Sequence, residues 1–453
     1  MEARHLASRL EELTHAHAVP GAQLSVHTGT ETVDAVAGTE CCDGTRAVDP
    51  RSAFAYGSVT KVFAATLVLQ LVSDGDLDLD RPVSDVLAEF REPADARLAS
   101  VTARQLLSHT SGLVADHELD ETDERSLFRY AKSVAELPLL DRPGNSFSYS
   151  NTGYNILGRV VEEVTGLRWR DALQDFLLRP LGVDPYVDHS PDGPARPLTT
   201  GHAVRPGQRE ARPVDQFLPP TWTPAGGLSG SARDLVVLAR LHIGTDPKVA
   251  ALLEDEQRVE MRTPVPGADA FGMADAWALG LGHYGSADNR WLGHDGTVDG
   301  GTAHLRFHPG SGLAVALTTN ATTGSSLWPD VVEELRTLGI DVGDHRPGVP
   351  APHPAASGAG TGTGPQETER LVGDYANGDT VFSVRRHHDG IRLSDRTGLV
   401  ADVTLNDGLN FTARRVDTDA APYVGRFVLD GGTGEIALLQ LAGRSAMRVR
   451  AAV

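Results

Sequence analysis

The stretch Tyr56–Gly75, YGSVTKVFAATLVLQLVSDG, sets a serine and a lysine three residues apart, Ser58 and Lys61, ahead of a nearly unbroken apolar run from Val62 to Val72. A run with no polar face predicts a helix buried on all sides. Residues three apart on a helix lie one above the other, so the Lys61 amine reaches the Ser58 hydroxyl. Desolvation favours the neutral amine, a base able to take the hydroxyl proton. The serine also stands at a helix N-terminus, where free N–H groups face a developing oxyanion. By itself the same pattern equally describes an N-capping serine with a snorkelling lysine.

Outward from this helix the N-terminal region mixes periods. AQLSVHTGTETVDAVAGTE (22–40) reads as a strand pair, TARQLLSHTSGL (102–113) as a short helix ending at Gly112, and TGYNILGRVVEEVTG (152–166) as a helix stopped by Gly166. SARDLVVLARLHI (231–243) is a helix capped by Ser231, and Leu6, Leu10 and Leu13 mark an amphipathic surface helix at the start. Strands return in 290–320, with a turn at Pro309-Gly310. Strands first and last with helices between predict an α/β fold on an antiparallel sheet. Residues 345–366, HRPGVPAPHPAASGAGTGTGPQ, form a Pro/Gly/Ala linker, dividing a region 1–344 from a region 367–453. The latter alternates apolar and polar residues, with hairpin signals at Asn406-Asp407-Gly408 and Asp430-Gly431, and predicts an antiparallel barrel or sandwich. In its last strand Arg444, Arg448 and Arg450 share one parity and Met447 and Val449 the other. The arginines then face solvent or a rim contacting an anionic substrate group, and Met447 and Val449 go inward.

Two further stretches carry chemistry. RPGNSFSYSNTGYN (142–155) puts Tyr149 and Asn151 two apart on one side of an extended segment, before a helix that Asn151 can cap. A phenol facing the lysine serves as a proton relay, and the carboxamide can hold a substrate amide. WLGHDGTVDGG (291–301) contains His294, Asp295 and Gly296. The glycine lets a substrate backbone approach, and the Thr297 N–H is a second oxyanion donor.

With 61 acidic against 41 basic residues and net charge −20, nucleic acid is an unexpected partner. No metal or cofactor is expected either. His15 with His17 and His387 with His388 lack companions at metal spacing, and Cys41 and Cys42 are adjacent thiols in a turn. Gly280, Gly282 and Gly285 fit a dinucleotide fingerprint with no helix pattern after it. His109 reads as structural, in a helix-ending turn. The N-terminus has no apolar core of a secretion signal and no run is long enough to span a bilayer, so a cytoplasmic protein away from the membrane is expected.

S-x-x-K, Y-x-N and H-x-G in this order resemble the penicillin-recognising serine enzymes, particularly their class C β-lactamase-like branch. The resemblance spans Leu6 to Leu338 and is supported by LLSHTSGL, DLDLDRPVSDVL and PAGGLSGSARDL. It implies a β-lactamase/transpeptidase-like antiparallel sheet flanked by helices, with a helical subdomain. It also implies Ser58 as acylated nucleophile, Lys61 and Tyr149 as the proton-transfer pair, Asn151 as a substrate-amide contact, and His294 lining the site. The N–H groups of Ser58 and Thr297 would form the oxyanion hole; Gly296 and Arg444 stay as substrate contacts read from the residues alone. Many relatives carry lysine at the position of His294, where a fixed charge holds a substrate carboxylate. A histidine is mostly neutral near pH 7, so esters, thioesters or blocked peptides are expected instead. The layout is similar to the penicillin-binding-protein-type thioesterases, stand-alone cyclases of non-ribosomal peptides with a C-terminal lipocalin-like β-barrel. That likeness implies a peptidyl thioester from a synthetase carrier domain as partner, transfer to Ser58, and head-to-tail macrolactamisation. A cytoplasmic esterase, D-stereospecific peptidase or amidase using the same acyl-enzyme is the alternative.

Overall fold

The computed structural model describes residues 3–449 except 120–125, 188–195, 197, 206, 217, 346–364, 389, 397, 407–408, 418–421 and 431. The expected linker, from 346 to 364, and the hairpin residues Asp407, Gly408 and Gly431 therefore lie outside the described residues.

A seven-stranded antiparallel sheet organises the first part, in the order Thr32–Gly38, Gly21–Thr28, Leu313–Thr319, Gly301–His308, Trp291–Val298, Gly282–Tyr284, Ala276–Trp277. The strand Gly21–Thr28, second from one edge, is covered on both faces, and the alternation of its side chains shows how. Ala22, Leu24 and Val26 pack into the cluster that holds Leu6 and Leu10 of the helix Ala3–Ala16 and Leu327, Val331 and Leu335 of the helix Gly324–Thr337. On the other face Gln23 is satisfied by backbone alone: its oxygen accepts the Ala232 N–H at 2.9 Å, and its nitrogen donates to Asp49 O and Ser52 O. That second face belongs to the larger core, where Ala303, Leu305 and Phe307 of one strand meet Leu235, Leu238 and Ala239 of the helix Ala232–Ile243.

The helix Thr60–Ser73 lies at the centre of this core, with Thr60 to Leu69 continuously buried. Each large apolar side chain placed there contributes about 1.5–3 kcal/mol of transfer free energy. The expected helices at 152–166 and 231–243 are present, as Asn151–Thr165 ending at left-handed Gly166 and as Ala232–Ile243 with Ser231 and Asp234 in a capping box. The helix expected to end at Gly112 stops instead at Leu107. His109 takes a left-handed φ of 58°, which breaks the helical path five residues early. Ser150, not Asn151, is the N-cap of the following helix, its hydroxyl accepting the Gly153 N–H at 3.0 Å.

Strands from Gly373 to Arg448 close into an eight-stranded antiparallel barrel around Tyr375, Leu393, Phe411, Phe427 and Leu439. Closure removes free edges. The parity expected for the last strand is reversed: Ala446 is in the barrel core, while Met447 and Val449 are exposed. Arg444 and Arg448 share the inward parity of Ala446, but they stand near opposite ends of the strand and reach outward from the barrel. Arg448 donates to the carbonyls of Arg370 and Val372, and Arg444 pairs with Asp116 of the first part. Among the described residues no helix is long and apolar enough to cross a membrane.

Candidate active site

Ser58 lies in the single 3-10 turn Gly57–Val59 that feeds the helix Thr60–Ser73. No side chain caps this start. The Ser58 hydroxyl instead meets the Lys61 amine at 3.0 Å. The turn is tied down by a neighbouring segment: Tyr56 N–H donates to Leu228 O at 2.8 Å, the Tyr56 hydroxyl to Ser231 O at 2.8 Å, and Leu228 N–H to the Thr60 hydroxyl at 3.1 Å.

Two glycines let the strand Trp291–Val298 run against this turn. A Cβ on Gly296 would stand 2.0 Å from Tyr56 O and 3.0 Å from Ser58 N, and one on Gly57, at φ 50°, would stand 2.6 Å from Thr297 O and 2.9 Å from Thr297 N. The absence of both side chains thus brings the backbone of Thr297 alongside the Ser58 N–H at the start of the turn. Gly296 was expected to admit a substrate backbone. The backbone it admits is that of residues 56–59.

Lys61 is completely buried, and three groups surround its amine: Asn151 Oδ1 at 2.6 Å, Ala225 O at 2.7 Å and Ser58 Oγ at 3.0 Å. The Asn151 carboxamide has a fixed orientation, because its nitrogen donates to Asp116 Oδ1 at 2.6 Å. Asn151 Oδ1 and Ala225 O are therefore pure acceptors. Burial drives the Lys61 pKa well below its ordinary value; Asp116 opposes that shift and Arg444 adds to it. A neutral amine has two hydrogens, which satisfy the two pure acceptors. Its lone pair is then left for the Ser58 hydroxyl. Asn151 lines the cavity with its oxygen on Lys61 and one amide hydrogen on Asp116; it orients Lys61 and has a second amide hydrogen for the substrate-amide contact expected of it.

Tyr149 is buried beside this pair, with the Lys61 nitrogen 5.0 Å from its ring centre. Its hydroxyl makes no hydrogen bond of ordinary geometry with described atoms, so the direct bond to lysine expected of a relay is absent. Burial raises the phenol pKa, and a weaker interaction with the nearby Ser58 hydroxyl opposes the rise. The lysine moves down and the tyrosine up, which favours the microstate in which both are uncharged.

His294 lies beneath the site rather than in its wall. It is 1% exposed, with ring centres 5.3 Å from Trp277 and 6.1 Å from Tyr149. Its Nδ1 donates to Asp295 O at 2.6 Å; burial above all holds its pKa down to about 3, so it is neutral. The Asp295 carboxylate is clamped by Arg306 at 2.9 Å through both oxygens and by His304 at 2.7 Å, and Arg306 stacks on Tyr284 at 3.5 Å. Burial alone would raise this carboxyl, but the adjacent guanidinium and imidazole lower it far below the usual carboxylate range. The strand carrying Thr297 is anchored by this group.

In front of Ser58 a cavity of about 650 Å³ is walled on its apolar side by Leu119, Leu218, Pro219 and Trp222, with Glu118 and Asp299 at its exposed rim. No cationic side chain is among its described lining residues. The barrel approaches from the Tyr149 side. Tyr149 N–H donates to Gly443 O at 2.9 Å, Ser445 N–H to the Ser148 hydroxyl at 3.1 Å, and Gln440 Nε2 to Phe147 O at 3.1 Å. Arg444 joins Asp116 Oδ2 at 2.7 Å and thus enters the chain Arg444–Asp116–Asn151–Lys61. Asp116 and Gly443 escape sequence reasoning, since no local pattern sets them apart.

Elsewhere, one group of potential metal ligands forms among the described residues, Cys41, Cys42 and His202. Both nitrogens of that imidazole are engaged, Nδ1 with Asn320 O at 2.8 Å and Nε2 with the Cys42 N–H at 3.0 Å.

A family model described as Beta-lactamase matches residues 6–331. Penicillin-binding protein 4 of Amycolatopsis lactamdurans is 37% identical over 355 residues, 77% of this chain and 92% of its own length. The crystal structure of SurE is 40% identical with a TM-score of 0.86 over 99% of both chains, and that of SurE with D-Leu is 38% identical with a TM-score of 0.85 over the same shares. A D-stereospecific amidohydrolase from Streptomyces sp. is 26% identical, TM-score 0.60, covering 75% of this chain and all of its own.

Proposed function

The chain belongs to the beta-lactamase family, and on that premise we propose that it is a stand-alone peptide cyclase of the penicillin-binding-protein-type thioesterase kind, acting through an acyl-enzyme on Ser58. The observation that carries the acyl-enzyme is the fixed orientation of Asn151 by Asp116, which leaves the Lys61 lone pair for the serine. In the first step Lys61 takes the hydroxyl proton as Ser58 Oγ attacks the thioester carbonyl. The new C–O bond forms, the C–S bond breaks, and the proton passes to the departing sulfur, with the Tyr149 phenol as the neighbouring donor. The N–H groups of Ser58 and Thr297 hold the oxyanion. In the second step the peptide's own amine attacks the ester carbonyl, a C–N bond forms, and the C–O bond breaks. The amine proton returns through Lys61 to Ser58 Oγ.

A thioester donor is supported by the cavity, whose described lining offers no cation to a free substrate carboxylate. A D-configured acyl residue is supported by the relative solved with D-Leu. The partner on this reading is a synthetase carrier domain, and the reaction belongs in the cytoplasm where such domains act. The apolar wall and the barrel exclude water and hold the chain folded back, so that proximity of the amine outruns hydrolysis.

The test is a short peptide thioester with a D-residue at its C-terminus, incubated with the protein and read by product mass. Loss of the thiol with no water gained is the expected outcome. Linear acid alone would establish the alternative, a serine hydrolase, which the likeness to the D-stereospecific amidohydrolase supports.

A further inference from the structure

The segment that carries Tyr149 and Asn151 has three consecutive backbone N–H groups, and each is held. Ser148 donates to the carbonyl of His109 at 2.8 Å, Tyr149 to Gly443 O at 2.9 Å, and Ser150 to His109 Nδ1 at 3.1 Å. One residue thus supplies two of the three acceptors. It does so from a left-handed backbone, φ 58°, a conformation that a non-glycine residue keeps where its surroundings fix it. The imidazole is 1% exposed and lies 4.3 Å, centre to centre, from the Tyr149 ring at a tilt of 36°. Phe147, Tyr154 and Trp277 enclose the rest of it, at 5.7, 5.2 and 5.4 Å. Since Nδ1 accepts an amide hydrogen, the ring is neutral and carries its proton on Nε2. A residue serving only to fill space would need neither the acceptor nor the left-handed backbone.

We propose that His109 is a positioning residue: a neutral imidazole that grips the backbone on both sides of Tyr149 and packs on its ring, fixing the phenol beside the Lys61 amine. The inference rests on the reading that Tyr149 takes part in forming the acyl-enzyme. His109 touches none of the reacting atoms and acts through that tyrosine.

The test follows the rate of fluorophosphonate adduct formation at Ser58 by intact mass in the full-length protein, with melting temperature as the control for folding. The variants are H109N, H109Q, Y149F and the double variant H109Q/Y149F. Asparagine tolerates the left-handed backbone and presents Oδ1 close to where histidine presents Nδ1, whereas glutamine places a methylene there. H109N is expected to stay within about fivefold of the natural protein and H109Q to fall about 30-fold or more. In the Y149F background the glutamine should change the rate less than about threefold, because a residue acting through the phenol loses its effect once the phenol is gone. Equal slowing by asparagine and glutamine, or an undiminished glutamine effect in Y149F, would overturn the proposal. Should H109Q fail to fold, H109N decides: a folded H109N slowed about 30-fold or more overturns it, and a retained rate supports it. Failure of the unsubstituted protein to react at all would instead count against the acyl-enzyme.

Discussion

The side-chain nitrogen of Asn151 donates to Asp116 at 2.6 Å, so the Asn151 oxygen must face the amine of Lys61. One carboxylate outside the three sequence motifs therefore decides what the lysine can do. The same carboxylate binds Arg444 of the barrel, which makes it the meeting point of the helix Thr60–Ser73, the tyrosine segment and the C-terminal strand.

Asp116→Asn removes the constraint on the Asn151 amide and the negative charge that opposes lysine deprotonation. The hydrogen bond to a charged acceptor is worth about 1.5–3 kcal/mol, so adduct formation should slow by about 10- to 100-fold. Asp116 raises the Lys61 pKa and Arg444 lowers it, so losing the carboxylate moves that pKa further down. The acid limb of the pH–rate profile, which reports the neutral amine, should shift to lower pH. A shift to higher pH would contradict this account of the charge arrangement.

Gly296→Ala puts a methyl group where Tyr56 O and the Ser58 amide now stand, at 2.0 and 3.0 Å. Backbone atoms cannot yield as side-chain ends do, so the strand must move away from the turn Gly57–Val59 and take the Thr297 N–H with it. The loss of one oxyanion donor corresponds to about 100-fold or more in kcat, against a stability cost of about 1–3 kcal/mol for overpacking. Turnover of an ester substrate beside a urea melt measures both. A folded variant with full turnover would remove Thr297 from the oxyanion site.

How much of this was legible in the chain depends on the range of each contact. The Ser58–Lys61 pair is a property of one helical turn, and helix ends at Ser231 and Gly166 follow from local capping chemistry, so both are open to sequence reading. The Asp116–Asn151 bond spans 35 residues and the Arg444–Asp116 pair 328, and no period or spacing announces such partners. The need for glycine at 296 could be seen, but which backbone fills the space could not, because that is settled by tertiary packing. The parity of Arg444 misled for a related reason: a long side chain at a barrel rim can leave an inward-facing position and reach a carboxylate on another part of the molecule.

Lys61→Met tests the buried amine through stability. The folded Lys61 pKa lies well below its unfolded value of about 10.4. Between those two values the unfolded chain binds the extra proton, so stability rises with pH across that window, and below it the folded protein carries the whole desolvation penalty. Methionine has no proton to gain. The stability of the natural protein relative to K61M should therefore increase as pH rises toward 10.4, with a slope of at most about 1.4 kcal/mol per pH unit. Urea melts of the two proteins over that range provide the measurement. A difference independent of pH would mean that the amine titrates in the fold as it does in water.

Gly443→Ala asks whether the barrel supports the active site or merely lies beside it. Gly443 sits at φ 76° in the turn before the last strand, and its carbonyl accepts the Tyr149 N–H. An added Cβ would stand 2.2 Å from the Met273 sulfur and 3.4 Å from the Phe147 ring. The methionine is flexible and can give way, so the main cost is the left-handed backbone, about 1–2 kcal/mol for alanine. That strain acts on the turn that fixes Tyr149, and adduct formation at Ser58 should slow by about tenfold. Arg448 is the comparison: it holds the Arg370 and Val372 carbonyls at the other end of the same strand. Arg448→Ala should cost stability and leave the labelling rate within about twofold. If the two variants lower stability alike and neither slows labelling, the tyrosine segment keeps its place without the barrel, and the coupling between the two parts of the chain is structural alone.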